Sequence, residues 1–521
     1  MTPHTADLIF LDGSHLTLED VHTAARGRPA LRLRPETRAR LEQSAALVAR
    51  LVEGPQPVYG VNTGFGIFAN RRIGPEDLAE LSRNLILSHA VGFGDPFPHD
   101  VVRAAMLIRA NTLALGLSGV RPAIVDCLLQ MLERGVTPVI PSQGSLGSSG
   151  DLAPLAHLGL VMTGGEDAAR SGRAWFEGRL LSGQEAMQAA GVPTVRLGPK
   201  EGLALTNGAT FATALLALAC LDARACLRAA AAAAALSMEA LQARSAALDE
   251  SLHAARPHPG QSRVAADLRT LTRGSTLLDS GDQVQDAYSL RCAPQIIGPA
   301  WEILGFCEAV VSREINSATD NPLLLGGTAV SGGNFHGEPV GQAADFLKIA
   351  LSEVGAVAER RAFRLLSSHT NADLPAMLVA DPKAAGLQSG FMMLQYTAAS
   401  LVLENQNLAA PASVFSLPTS ADQEDHNANA TTAARQLASV VRNLRRIVAI
   451  ELLTAAQALD LRLRAAPDLR PGAGTGAVYS RIRSVAPFAD KDDLRLPALD
   501  RIDALIASGE VGLESAAAVD A

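Results

Sequence analysis

The sequence predicts an all-α fold, a bundle of long helices, and three observations carry that expectation. Apolar residues recur at helical spacing through long windows. Two stretches, around residues 204–246 and 385–410, are apolar or small on nearly every face. Glycine- and proline-rich breaks at 54–66, 141–150, 255–261, 326–339 and 466–476 separate these windows. Helices that are apolar all round belong among other helices, so the long members are expected to be buried in an oligomer.

The first clear helix runs from Pro35 to Gly54, with Leu41, Ala45, Val48 and Val52 at helical spacing, a proline near its start and Gly54-Pro55 as its stop. Longer helices are expected over residues 345–366 and 431–459. In the second, Leu437, Val440, Val441, Leu444, Ile447 and Val448 form one stripe, and Arg435, Arg442, Arg445 and Arg446 occupy the other faces. The run Ala229 to Ala235 favours helix and close packing. The most apolar region, Gly208 to Leu221, is cut off at Asp222, shorter than a membrane span, and reads as a buried helix. The expected division is an N-terminal part over 1–200, a central long-helix part over 201–470 and a short C-terminal segment over 471–521.

With 521 residues, 48% of them hydrophobic, the chain can bury a large core. Its net charge is -8, it has no block of like charge, and only 4% of its residues are aromatic, so it shows neither a basic stripe nor a stacking platform for nucleic acid. Cys127, Cys220, Cys226, Cys292 and Cys307 lie scattered in apolar surroundings, which suggests neither a disulfide framework nor metal ligands. The start, MTPHTADLIF, lacks the pattern of a signal peptide, and the expected location is the cytoplasm.

The chemistry centres on GSLGSSGD, residues 144–151, which runs straight into the apolar LAPLAHLGLVM. It could be a flexible connection in which Asp151 caps the following helix and Pro154 sits in its first turn. A phosphate-binding loop would need the lysine of a Walker motif and a preceding strand, and a serine nucleophile would need a G-x-S-x-G elbow or an assignable lysine partner. A fourth reading makes the backbone the reactant. Attack of the Gly150 amide nitrogen on the carbonyl carbon of Ser148, with loss of water from Ser149, would close a five-membered ring bearing an exocyclic methylidene. Only glycine at the third position bends tightly enough for that closure, and the positive end of the following helix would withdraw electrons from the product.

GSLGSSGDLAPLAH closely resembles the active-site signature of the histidine and aromatic amino acid ammonia-lyases, whose Ala-Ser-Gly triplet cyclises to 4-methylidene-imidazol-5-one, abbreviated MIO. Here Ser148 replaces the usual alanine. That residue contributes only a ring substituent, so the group is expected to form from Ser148, Ser149 and Gly150 with no external cofactor and no metal.

Further strings extend the resemblance from about residue 59 to residue 426. YGVNTGFG (59–66) matches the family's tyrosine-bearing loop and implies Tyr59 as the base, on condition that nearby positive charge or the helix dipole ionises its phenol. In QDAYSLRCAPQ (285–295), Gln285, Tyr288 and Arg291 are three apart, one helical face if the segment is helical. The resemblance gives Arg291 the substrate carboxylate, with Gln285 and Tyr288 beside it. KEGLALTNGAT supplies Asn207, implied to bond near the ring oxygen and substrate. SGGNFHGEP (331–339) supplies Phe335 as an aromatic wall, and NSATDNP (316–322) reads as scaffold.

Two positions bear on the substrate. Ser88-His89 in NLILSHAVGFG falls at the family's selectivity position, and PTSADQEDH (418–426) has Glu424 where aromatic-substrate enzymes carry glutamine. A carboxylate pairs with an imidazole but is poorly compensated against a benzene ring. The resemblance therefore implies elimination of ammonia from L-histidine to give trans-urocanate. Its fold would be the helical MIO ammonia-lyase fold, related to the fumarase/aspartase-like architecture, assembled as a homotetramer with shared active sites. Met392 and Met393 are further candidates for the pocket, and NANATT after His426 departs from the family's usual run. Phenylalanine or tyrosine elimination, aminomutase chemistry and a non-catalytic helical binding protein are the alternatives.

Overall fold

A computed structural model describes residues 8–165 and 167–513. These residues form two compact units, each assembled from separated parts of the chain. The first takes the N-terminal run through Leu218 with Cys307–Asp345 and Pro411–Arg435, and the second takes Ala219–Phe306, Phe346–Ala410 and the chain from Gln436 onward. Both differ from the contiguous parts expected from the sequence, because unit boundaries fall inside the helices Thr210–Ala240, Ala293–Glu314, Glu338–Leu366 and Ala430–Ala465.

In the first unit the helices Leu78–His89, Leu152–Thr163 and Glu201–Thr206 pack on one another. Among the described residues four small sheets accompany them. Leu8–Leu11 pairs in parallel with Ala30–Leu33, and Phe93–Pro96 runs antiparallel to Pro141–Gln143. Thr137–Pro138, Arg173–Phe176 and Arg179–Ser182 make an antiparallel three-strand sheet, and Leu323–Leu325 turns back on Thr328–Val330. Among the described residues no strand exceeds four residues, too short a window for alternation to be told from irregular chain. The strand Pro141–Gln143 immediately precedes the glycine-serine stretch, where the sequence shows no clear strand.

The long helices are where their patterning puts them. Every residue of the 437–448 stripe is buried, as is the whole run Ala229–Ala235. The helix Thr210–Ala240 is long and apolar enough to cross a membrane by length alone, longer than the sequence suggested, but 78% of its apolar window is buried inside the protein, as in a core helix. In the second unit Glu451, fully buried, accepts bonds from Arg361 Nε (2.5 Å) and Nη2 (2.8 Å) and from the Ser237 hydroxyl (2.8 Å). The helix Met392–Leu408 buries Leu394, Ala398, Val402 and Asn405, while Met393, Tyr396 and Leu403 are exposed in the single chain.

Candidate active site

The Ser148-Ser149-Gly150 triplet lies at the wall of a cavity of about 630 Å³ in the first unit. Tyr59, His89, Ser149, Asn207 and Glu424 all line it. Residues 59, 89, 149, 207 and 424 are thereby brought together from five separate segments. The helix Leu78–His89 presents Leu81, Asn84, Leu85, Ser88 and His89 along one face, at spacings of three and four residues.

The triplet is held by backbone and buried polar contacts. Gly208 donates its N–H to the Ser149 carbonyl (3.1 Å), and its own carbonyl accepts from the Asp151 N–H (2.9 Å). Gly150 stands at φ +80, and a Cβ there would lie 2.0 Å from the Gly208 carbonyl carbon. No L side chain fits that conformation or that space. Among the described residues, neither the Gly150 N–H nor the Ser148 carbonyl, the two groups that ring closure would join, is committed to a hydrogen bond. The residues present fit an internally formed ring.

Asp151 does not cap the helix that follows it. Its side chain makes no bond to the start of Leu152–Thr163; instead Oδ2 accepts from the N–H groups of Phe211 (2.7 Å) and Ala212 (3.1 Å), at the start of Thr210–Ala240. Oδ1 accepts from Ser145 Oγ (2.7 Å) and from the Thr431 hydroxyl. Asp151 is thus turned away from its own helix, toward the unpaired N–H groups at the start of another. Thr431 belongs to NANATT. In that run Asn427 also bonds Ser416 Oγ (2.8 Å) and the Leu417 carbonyl, and Asn429 bonds the carbonyls of Leu146 (2.8 Å) and Phe415. Residues of this run thus bond the 415–417 loop and, on either side of the triplet, Leu146 and Asp151.

Glu424 faces the triplet directly. Its Oε1 accepts from Ser149 Oγ (2.8 Å), and its Oε2 accepts from Ser148 Oγ (3.1 Å) and Thr419 Oγ1 (3.1 Å). Ser88 donates to the Leu85 carbonyl (3.2 Å), which leaves its oxygen to accept from His89 Nδ1 (2.9 Å). Burial holds the His89 imidazole below its usual 6.5, against the Leu85 carbonyl and the Glu424 charge. The neutral ring then offers Nε2 as an acceptor.

Asn207 rests on a buried charge network. Its Nδ2 donates to Asp320 Oδ1 (3.0 Å) and to the Asn321 carbonyl (2.9 Å), which leaves Oδ1 as its remaining side-chain polar atom. Asp320 and Lys200 form a fully buried ion pair at 2.5 Å. Arg109, also fully buried, bonds the Asn207 and Ala204 carbonyls and Thr319 Oγ1. NSATDNP is scaffold, as its pattern suggested, and its load is Asn207.

The surroundings of Tyr59 disfavour its ionisation. Burial raises its phenol above the usual 10.0, a bond with the Gly66 backbone pulls the other way, and the charges of Glu424 and Asp320 raise it further. The groups that act on it electrostatically are carboxylates rather than cations, so it keeps its proton near neutral pH.

Gln285, Tyr288 and Arg291 belong to the second unit and are not among the residues lining the cavity. They also do not share a helical face. The helix here is only Tyr288–Arg291, Ala287 before it is extended, and Gln285 is exposed in the loop ahead. The Asp286 carboxylate takes the Arg244 N–H (2.6 Å) and its carbonyl takes Arg291 Nε (3.0 Å), so the segment is held by bonds that keep it out of the helix. The Arg291 guanidinium lies over the Tyr288 ring at 4.6 Å. Phe335 is half-buried in a loop pinned by the Gly337 N–H to the Gly147 carbonyl (3.1 Å), but it does not line the cavity. Met392 and Met393, at the start of a second-unit helix, do not line it either. Arg71, which does, lies in none of the quoted strings, and Asn84, which also does, opens NLILSHAVGFG without having been singled out there.

A helical scaffold that poises a serine-glycine triplet for closure beside a phenol and a carboxylate is that of a lyase acting on amino acids. Residues 16–484 match the family described as aromatic amino acid lyase, and the chain belongs to that family. It is 47% identical over 511 residues to a histidine ammonia-lyase of Gloeobacter violaceus, covering 97% of each chain. It resembles the crystal structure of histidine ammonia-lyase from Trypanosoma cruzi with a TM-score of 0.88 at 39% identity, over 97% of this chain and 94% of that one. A tyrosine aminomutase from Streptomyces globisporus is similar too, with a TM-score of 0.89 at 35% identity, over 96% of this chain and 97% of the other.

Proposed function

We propose that the chain eliminates ammonia non-oxidatively from L-histidine, giving trans-urocanate, with an MIO group formed from Ser148, Ser149 and Gly150. The observation that carries this reading is the placement of His89 and Glu424 on the wall of the cavity that holds Ser149. The carboxylate and the neutral His89 Nε2 are both acceptors, and they suit a ring with N–H groups to give. A benzene ring would desolvate both and offer neither a donor, at a cost of about 1–3 kcal/mol for each group left short of a partner. The relatives named for histidine support the same substrate.

Once formed, the MIO group supplies an electrophilic methylidene carbon toward the substrate amine. The chain's own residues do the rest. Tyr59 accepts the β-hydrogen, Glu424 and His89 hold the imidazole, and Asn207, fixed by Asp320, presents its Oδ1 to the cavity. Arg291, a planar bidentate donor, takes the carboxylate, with Gln285, Tyr288 and Phe335 around it.

We place these last residues at the site of a neighbouring copy, in a cytoplasmic homotetramer. Phe306, Phe346 and Ile349 of the second unit are more than 40% exposed in the single chain, an apolar surface that assembly would cover.

The test is to incubate the purified protein separately with L-histidine, L-tyrosine and L-phenylalanine, following ultraviolet absorbance and released ammonia. Urocanate and ammonia from histidine alone are expected. Release of coumarate or cinnamate instead would overturn the substrate assignment. A β-amino acid formed without net ammonia release would establish the mutase reading that likeness to the aminomutase raises.

A further inference from the structure

Three hydroxyl groups hold the Glu424 carboxylate, and ring closure spares only two of them. Oε1 accepts from Ser149 Oγ at 2.8 Å, while Oε2 accepts from Ser148 Oγ and Thr419 Oγ1, both at 3.1 Å. Closure removes two waters. One takes the carbonyl oxygen of residue 148, and the other takes the Ser149 hydroxyl. The Ser148 hydroxyl is not consumed. Oε1 therefore loses its partner to the chemistry that makes the electrophile, and Oε2 keeps both of its own.

Glu424 needs such anchoring. It lies in an irregular stretch, held on the backbone by paired bonds with Thr419, after three residues, Ser420, Ala421 and Asp422, at φ +53, +52 and +65. A side chain on such a turn has many rotamers to lose, and each bond to one of its oxygens narrows them.

We propose that Ser148 is a positioning residue for Glu424, so that the prosthetic group of this chain carries its own hydrogen-bond donor and holds the carboxylate with Oε1 free for the substrate imidazole. This rests on the histidine reading above, and it gives the departure from alanine a task beyond that of an inert substituent. Alanine at 148 would leave Oε2 with Thr419 alone. Thr419 sits on the same turn as Glu424 and moves with it, whereas Ser148 is tied to the ring.

The test is a double-mutant cycle of Ser148→Ala, Glu424→Gln and both together. Intact mass reports ring formation, and steady-state kinetics with L-histidine and calorimetric binding of the non-reacting imidazolepropionate report the site. Alanine is the residue usual in the family at that position, so the single variant is expected to fold and to be two waters lighter than its encoded mass. In it, KM and the imidazolepropionate Kd should each rise roughly tenfold, the scale of one hydrogen bond to a charged group, with a smaller change in kcat. In the Glu424→Gln background the same substitution should change neither by more than about twofold. Unchanged KM and Kd in Ser148→Ala, or an equal loss with and without Glu424, would overturn the proposal while leaving the lyase reading intact. A parent protein at its full encoded mass, or silent toward histidine, would overturn both.

Discussion

Gly150 and Gly208 bridge each other as if in a parallel sheet, so close that a methyl group on Gly150 would stand 2.0 Å from the Gly208 carbonyl carbon. Gly150→Ala must therefore break the bridge and leave its positive φ. The variant is expected to lose about 2 kcal/mol or more of stability and to retain its full encoded mass. A folded Gly150→Ala protein that still lost two waters would contradict the assigned ring register.

The Lys200–Asp320 pair is buried at both ends and carries Asn207. Asp320→Asn leaves the lysine charged without its partner, at a cost of about 3–5 kcal/mol, visible as a lower urea midpoint. Because it also weakens one of the two bonds that hold Asn207, kcat should fall further than the folded fraction accounts for. A variant with native midpoint and native kcat would show the pair to be dispensable.

Asp151→Ala strips the cap from the helix Thr210–Ala240 and leaves the Phe211 and Ala212 N–H groups buried without an acceptor. A loss of about 2–3 kcal/mol is expected. Hydrogen exchange at those two amides gives a sharper readout: both should become fast in the variant while amides late in the same helix stay protected.

Burial pushes the Glu314 carboxyl up to about 7, against the pull of Arg109. A carboxyl whose folded value lies above its unfolded 4.5 favours the folded state fully below 4.5, and that contribution is lost as pH rises through about 7. Glu314→Gln removes the loss. The substitution is expected to raise the denaturation midpoint at about pH 8 and to do less at about pH 5, with a flat difference between the two overturning the assignment.

The raised Tyr59 phenol sets the alkaline behaviour. A base must shed its proton first, and this one is held above 10.0 by burial and by two carboxylates. In the proposed role, kcat/KM for L-histidine should climb from neutral into strongly alkaline solution, and Tyr59→Phe should abolish turnover while leaving the mass deficit in place. A rate independent of pH across that range would assign the proton transfer elsewhere or show that assembly lowers the phenol.

What the sequence disclosed follows from the reach of each interaction. The triplet, Tyr59, His89, Asn207 and Glu424 each sit in a short distinctive string, and the structure brings all five strings to one cavity. The long helices were legible because periodicity over twenty or more residues accumulates. Lys200 and Asp320 were not, since nothing local marks two charges 120 residues apart as partners. The misplaced cap of Asp151 has the same origin: its nearest helix start in sequence is not its nearest in space. Gln285, Tyr288 and Arg291 looked helical by spacing alone, and the bonds made by Asp286 decided otherwise.

The bond between Asp151 and Thr431 joins residues 280 apart. During synthesis the triplet leaves the ribosome long before Thr431 exists, so the contacts that shape it for closure are missing for most of translation. A reactive electrophile on a half-made chain would meet every amine and thiol in its surroundings. In the proposed reading, a triplet whose shape depends on a residue 280 positions further on gains its reactivity only after the segments that wall the cavity have been made.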